Sequence, residues 1–152
     1  MLPQQIAAAA IALLSVICLS ALPAHAQDDK RVDYRQALMS AVGANMKAVA
    51  TIYRGRLANH KNINAHGQQL KIAADLVEAA FRDKVQTPNS QSKPEIWSEW
   101  EKFVEITNAF RDASETLANV KKTDDLKEVG LAVKAVGKSC AACHQLYRVK
   151  KN

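Results

Sequence analysis

Aromatic side chains are scarce in this sequence, because Phe, Trp and Tyr together make up only 5% of its 152 residues. Turn-forming residues are scarce as well, with 5 glycines and 4 prolines in the whole chain. Sandwiches and barrels consist of many short strands separated by turns that use these residues. The composition therefore favours a single all-α domain.

Charged side chains are absent from the first 26 residues, which contain no Lys, Arg, Asp or Glu. An apolar run from Ile6 to Leu22 precedes Ala24-His25-Ala26, which has small residues at the positions that a signal peptidase reads. The run falls short of the roughly 20 residues that a membrane-spanning helix needs. We therefore predict a signal peptide over 1–26, cleaved after Ala26, and a mature domain over 27–152. An uncleaved anchor helix is the alternative, since the segment before the run has no Lys or Arg.

Export to the periplasm would leave the mature chain with two cysteines, Cys140 and Cys143, because cleavage removes Cys18. The net charge of +6 belongs entirely to the mature domain. We predict no stable membrane insertion after cleavage. Nucleic acid is excluded as a partner because the protein is exported and lacks a recognition motif.

Apolar residues recur at steps of three and four in four segments, which predicts four amphipathic helices. Helices of this kind, joined by short connections, pack as an antiparallel four-helix bundle. The stripes are Met39, Val42, Met46, Val49 and Tyr53 in the first segment; Leu70, Ala73, Leu76, Val77, Ala80 and Phe81 in the second; Trp100, Phe103, Thr107, Phe110, Ser114 and Leu117 in the third; and Leu126, Val129, Val133, Val136, Cys140, Cys143 and Tyr147 in the fourth.

Helix boundaries are marked by polar residues. Residues 87–94 form a polar loop with two prolines, and Ser92 with Glu95 fits a capping box at the start of the third helix, with Pro94 in its first turn. Residues 123–125 supply side-chain oxygens that would cap the fourth helix.

The segment Cys140-Ala141-Ala142-Cys143-His144 carries the clearest chemical signal. Two thiols about one helical turn apart can add to the two vinyl groups of a haem, and the next histidine can bind its iron. The pattern Cys-x-x-Cys-His is that of c-type haem attachment. We predict one covalent haem c, bound by Cys140 and Cys143, with His144 as an axial iron ligand.

Other uses of these residues fit less well. A structural zinc site needs four ligands, and this motif gives at most three unless His60 or His66 joins it. We interpret both of those histidines as solvated. A thioredoxin-like pair expects a strand–helix context that the sequence lacks, and a structural disulfide does not suit cysteines on a helix seam.

The sequence resembles the class II cytochromes c, the cytochrome c-prime family. The resemblance rests on Tyr34-Arg35-Gln36, on Pro94-Glu95-Ile96-Trp97 and on the segment from Cys140 to Arg148. It implies a four-helix bundle with a covalently bound haem and His144 as the proximal ligand. It also implies that Arg35 lies near a haem propionate, Trp97 near the haem pocket and Arg148 near the proximal histidine.

The residue four positions after Arg35 separates the branches of this family. An apolar residue there implies a five-coordinate, high-spin iron, whereas Met39 at that position looks like the low-spin, methionine-ligated branch. Met39 lies one helical turn from Arg35 on the inward stripe. Its alternative role is core filler, and Met46, two turns along the same face, is the rival ligand.

We therefore predict a periplasmic cytochrome that carries single electrons, with redox partner proteins and no enzymatic activity. The alternatives are a high-spin protein that binds nitric oxide or carbon monoxide, and a helical subunit that the haem only stabilises. Four basic residues lie around the haem-binding turn in sequence: Lys138, Arg148, Lys150 and Lys151. We predict that they attract an acidic redox partner. The alternative is that they are solvated and only interact favourably with the dipole at the helix C-terminus. The family resemblance also implies a homodimer through the first two helices.

Overall fold

The computed structural model describes residues 24–57, 60–121 and 125–150. The predicted signal peptide lies almost wholly outside these residues, as do Thr123, Asp124 and Lys151. The described chain begins in a helix at Ala24, so that helix includes the predicted cleavage position at Ala26. The proposed boundary of the mature domain stays a prediction.

Four long helices make up the described chain, as the sequence predicts. They are α1 (Ala24–Arg54), α2 (Ile63–Phe81), α4 (Trp100–Ala118) and α5 (Leu126–Tyr147), with one turn of 3₁₀ helix (His60–Asn62) before α2. A four-residue helix, α3 (Glu95–Ser98), precedes α4. The all-α bundle is therefore confirmed.

The third predicted helix is divided in two at Glu99. This residue has φ −119° and ψ 39°, outside the helical range. Its N–H still bonds to the Glu95 carbonyl and its carbonyl accepts from Phe103, both at 2.9 Å. The break therefore changes the direction of the chain without leaving these backbone groups unpaired.

The predicted capping box before this helix does not form. Pro94 takes the N-cap position of α3, and no side chain caps it. Ser92 instead pairs with Arg148 in an isolated antiparallel β-bridge, so the loop is held by α5. The cap of α5 is confirmed, because the Asp125 side chain accepts the N–H of Lys127 at 3.3 Å.

The predicted apolar stripes form the core with two exceptions. Leu76 is 43% exposed and Leu126 is 46% exposed. Leu76 lies beside Val77, which takes the inward position, and each residue turns by about 100° around a helix of 3.6 residues per turn. Leu126 is the first residue of α5, at the end of the bundle.

Three of the four helix pairs pack closely and the fourth does not. The pairs α2–α4, α1–α2 and α4–α5 share extensive interfaces, whereas α1 and α5 meet at few positions. Phe103 stands at the centre of an aromatic cluster, with the rings of Phe81, Trp100 and Tyr147 each 5.5 Å away. The weak α1–α5 interface leaves room for the cavity described below. No helix in the described ranges is long and apolar enough to cross a membrane.

Gly67 is the point of closest approach between α2 and α4. A Cβ at this position would lie 2.5 Å from the Ala118 nitrogen and 2.7 Å from the Leu117 carbonyl carbon. We expect Gly67→Ala to lower the free energy of unfolding by roughly 1–3 kcal/mol, because the two backbones must separate. Chemical denaturation of the haem-loaded protein measures this, with Gln68→Ala at the exposed neighbouring position as the control. Equal stability of the two variants would contradict the contact.

Candidate haem site

A cavity of about 620 Å³ opens between α1, α4 and α5. Its volume lies within the range of roughly 300–1,000 Å³ that is typical of ligand and cofactor pockets. Most of its wall is apolar. The apolar lining includes Val32, Met39, Val42, Met46, Val77, Phe81, Ile96, Phe103, Ile106 and Phe110.

The haem-attachment motif lies on this cavity. Cys140, Cys143 and His144 all line it from the last turns of α5, the cysteines half-buried and the histidine at the exposed edge. Both cysteines are free thiols. The stripe that continues through α5 therefore delivers both thiols and the imidazole to one wall of the cavity.

The two thiols are held in their protonated form. Burial raises the pKa of Cys143 to about 11, with the nearby Cys140 acting in the same direction. Burial also raises the pKa of Cys140. A redox-active dithiol needs a lowered pKa on its attacking sulfur. These cysteines therefore do not resemble a thioredoxin-like pair.

His144 is set up as a neutral ligand. Burial lowers its pKa, and the positive charge of Arg148 lowers it further. A neutral imidazole has a free nitrogen lone pair, which is what an iron ligand requires. In the described part of the chain, no group of three or more His, Cys, Asp or Glu side chains could hold a metal ion. Two thiols, one neutral imidazole and an apolar cavity fit a haem.

Two methionines face the cavity from α1. Met39 and Met46 are both half-buried and both line it. They are separated by seven residues, or about 10 Å along a helix. The structure thus brings the predicted ligand Met39 to the same cavity as His144, and brings its rival Met46 there too.

Arg35 closes the end of the cavity near the end of α2. Its side chain is buried and lines the cavity. The guanidinium donates to the carbonyls of Ala80 at 2.8 Å, Asp83 at 2.6 Å and Val85 at 2.8 Å. Burial lowers the pKa of Arg35. Arg35 therefore fixes the chain that leaves α2, and its contact with a propionate stays a prediction.

Trp97 lies behind the cavity wall and is not part of its lining. Its indole Nε1–H donates to the Phe81 carbonyl at 2.8 Å, and its ring centroid is 5.3 Å from the Arg35 Cζ. Phe81 and Arg35 both line the cavity. Trp97 therefore supports two wall residues from outside.

Part of the loop between α2 and α3 covers the cavity next to His144, and the sequence pattern did not indicate this. We call residues 89–93 the strap. Ser90, Gln91 and Ser92 line the cavity. The strap is fastened to α1 by Gln36, whose amide donates to the Asn89 carbonyl at 2.8 Å, and to the end of α5 by the contacts described later. The unusual run of polar residues was the only signal for it in the sequence.

Tyr147 ties α5 to the break between α3 and α4. It is buried, lines the cavity, and donates its hydroxyl to Glu99 Oε2 at 3.1 Å. Burial raises the pKa of Tyr147 to about 12, and Glu99 adds to the shift. Glu99 also accepts from Lys102 at 3.3 Å.

The interpretation of His66 as a solvated residue is wrong. It is half-buried, and its Nδ1 pairs with Asn45 Oδ1 at 2.9 Å across the α1–α2 interface. Asn45 offers a partner that keeps the imidazole against α1. His66 does not line the haem cavity, and the side chain of His60 lies outside what the structure describes.

Comparison with known proteins agrees with the haem site that the geometry indicates. The family model described as Cytochrome C' matches residues 30–148. The chain belongs to the cytochrome c' family. Members of this family are periplasmic, non-enzymatic haem proteins with one covalent haem c, so the predicted family, cofactor and absence of enzymatic activity are confirmed.

Relatives under two names are similar to this chain. Cytochrome c' of Alcaligenes xylosoxydans xylosoxydans is 31% identical, over 83% of this chain and 98% of the relative. Cytochrome c-556 of Agrobacterium fabrum is 29% identical, over 91% of this chain and 92% of the relative. These names do not resolve the branch to which this chain belongs.

Solved structures match the bundle closely. A nitric oxide complex of a variant of cytochrome c prime from Alcaligenes xylosoxidans superposes with a TM-score of 0.73 at 30% identity. The match covers 82% of this chain and 97% of the other. Cytochrome c prime from Shewanella frigidimarina, at 20% identity, gives a TM-score of 0.74 and shows the shared fold.

Replacing both thiols tests the attachment site. We expect Cys140→Ala with Cys143→Ala to abolish covalent haem and to leave a poorly folded chain, because an apolar cavity of about 620 Å³ then stays open. Mass spectrometry and circular dichroism of periplasmic material measure the two effects. Ala141→Ser, at an exposed position inside the motif, is the control and should mature normally. A well-folded, haem-free double variant would contradict the idea that haem completes the core.

Proposed function

We propose that this protein carries single electrons in the periplasm, with His144 and Met39 as the two axial ligands of its haem iron. The observation that carries the proposal is the presence of both side chains on one cavity, delivered by α5 and α1 respectively. The proposal includes membership of the low-spin branch, ligation by Met39 and export with cleavage after Ala26.

The bound haem would supply a one-electron exchange at iron, and Met/His ligation is known to raise its potential. The protein's part is to hold the ligands and exclude water. Met39 lines a cavity whose wall is largely apolar and includes Val42, Ile106 and Phe110. The charged side chains on this cavity, Arg35 and Arg148, are cations that do not bind iron, so they do not compete with the thioether. An occupied face excludes small ligands, which suits a carrier.

Gas binding is the second candidate, and a specific observation favours it. The similar structure from Alcaligenes xylosoxidans is a nitric oxide complex. Thioether and gas would compete for the same position on the cavity. If Met39 only packs against the wall, this chain binds nitric oxide or carbon monoxide there instead.

The outward side of α5 suits an acidic redox partner. This helix carries three lysines against one glutamate, and Lys134 and Lys138 are exposed on it. Neither lysine forms an ion pair within the described ranges. Arg148, which follows the last residue of α5, bonds to the uncharged amide of Gln91. Their charge is therefore directed to solvent next to the haem-binding turn, where it can steer an encounter.

Substitution of the two methionines decides between the candidates. We expect Met39→Ala to lose the weak far-red band of methionine-ligated ferric iron, to shift the haem towards high spin, and to bind carbon monoxide when reduced. Met46→Ala is the matched control, since Met46 lines the same cavity from the same helix and should leave the spectrum unchanged. Absorption spectra of oxidised and reduced protein measure both.

Three outcomes would contradict the carrier proposal. They are a high-spin spectrum in the unsubstituted protein, an unchanged low-spin spectrum in Met39→Ala, and loss of the far-red band in Met46→Ala. The first outcome favours the gas-binding candidate, which carbon monoxide binding to the reduced protein then tests, and the third assigns the ligand to Met46.

Charge reversal on α5 tests the partner surface. We expect Lys138→Glu to slow electron exchange with an acidic redox protein roughly tenfold at low ionic strength, and the difference to vanish at high salt. Stopped-flow kinetics at several salt concentrations measure this. Lys61→Glu makes the same change before α2, at the end of the bundle away from the cavity, and should have little effect. Equal slowing by both variants would show that net charge alone matters.

A further inference from the structure

The strap and the end of α5 are joined by a short antiparallel pairing. The Lys93 N–H donates to the Tyr147 carbonyl at 2.8 Å, and the Val149 N–H donates to the Gln91 carbonyl at 2.8 Å. The two segments are paired between Ser92 and Arg148. This pairing begins three residues after His144, so it fixes the chain that leaves the haem-binding turn.

Gln91 also holds the Arg148 side chain. Its Oε1 accepts from Arg148 Nε at 3.3 Å and from Nη2 at 3.0 Å. Gln91, Arg148 and His144 all line the cavity. Arg148 follows His144 by four residues, one helical turn in sequence. The Arg148 N–H also donates to the His144 carbonyl at 3.2 Å, so the strap holds a cation one helical turn from the predicted iron ligand.

We infer that Gln91 is a positioning residue, which holds the Arg148 guanidinium beside His144 while leaving its positive charge uncancelled. The inference rests on the part of the proposed function that makes His144 an axial ligand, and it is independent of Met39.

The chemistry of the Gln91 side chain explains why an amide, and not a carboxylate, holds Arg148. A carboxylate at this position would pair with the guanidinium and neutralise it. A glutamine oxygen accepts the same two N–H groups and adds no charge. The guanidinium is a fixed positive charge at any ordinary pH. A fixed positive charge near the iron favours the ferrous state, and so raises the midpoint potential.

The side-chain contact can be removed without removing the strap. The backbone pairing uses the Gln91 carbonyl and the Lys93 N–H, and a change of the side chain at position 91 retains both. The Arg148 side chain is exposed, so its hydrogen bonds contribute little to folding stability. A change in potential without a change in melting temperature therefore distinguishes positioning from a structural role.

The test is a double-mutant cycle on the haem-loaded protein, read as midpoint potential by redox titration. We expect Arg148→Gln to lower the potential and Gln91→Ala to lower it in the same direction. The double variant should show no further shift beyond Arg148→Gln, because Gln91 acts through Arg148. Asn89→Ala, at an exposed position of the same strap, should leave the potential unchanged. Melting temperatures should agree among all four.

A second arm keeps the test decisive if Gln91→Ala matures poorly. Gln91→Glu retains the acceptor oxygen but cancels the charge of Arg148, so it should lower the potential further than Asn89→Asp, which adds the same charge two residues away. The inference is overturned if Gln91→Ala leaves the potential unchanged, if its shift adds to that of Arg148→Gln, or if Gln91→Glu and Asn89→Asp give equal shifts. The spectrum of the unsubstituted protein tests Met39 separately.

Discussion

The bundle depends on what fills the space between α1 and α5. In its other three interfaces side chains pack directly against each other, and Phe103 with its neighbours Phe81 and Tyr147 forms part of the cavity wall. Protein interiors are packed as densely as organic crystals, and large empty volumes are costly. The side chains of α1 and α5 leave a cavity of about 620 Å³ open, so the haem is part of the core. Aromatic residues are scarce in the sequence, and the porphyrin is a large flat group of the kind that they would otherwise provide.

A buried cation organises the wall of that cavity without a carboxylate at hydrogen-bond distance. Arg35 is only 3% exposed, yet the partners of its guanidinium are three backbone carbonyls. Burying a charge is costly unless hydrogen bonds satisfy it. The segment after α2 therefore has to fold around Arg35. This fixes the position of the chain just before the strap. The same side chain packs on Phe81 and Trp97, at 5.0 and 5.3 Å from the ring centroids.

Periodicity and one motif were enough to predict the bundle and to place both cysteines on its inward side. The stripe through Val129, Val136 and Tyr147 carried Cys140 and Cys143 to the inside because a helical step of three or four keeps residues on one face. The roles of Gln91 and Glu99 could not be predicted from local patterns. Gln91 bonds to Arg148, 57 residues away, and Glu99 bonds to Tyr147, 48 residues away. The capping box failed for the same reason: a local rule assigned Ser92 to α3, but a distant segment, the end of α5, takes it. The sequence does not decide which methionine is the second axial ligand, because Met39 and Met46 share a helix face and spacing alone does not separate them.

The pairing of Gln91 with Val149 has a consequence for maturation. Contacts between distant segments form only after the loop between them is closed, and that closure has an entropic cost. The contacts that fasten the strap to α5 need residues 147–149, which leave the ribosome and cross the membrane after both cysteines. Until residues 147–149 are available, the strap has no partner at the end of α5, so the cavity wall beside His144 is the last part of the site that can be fastened.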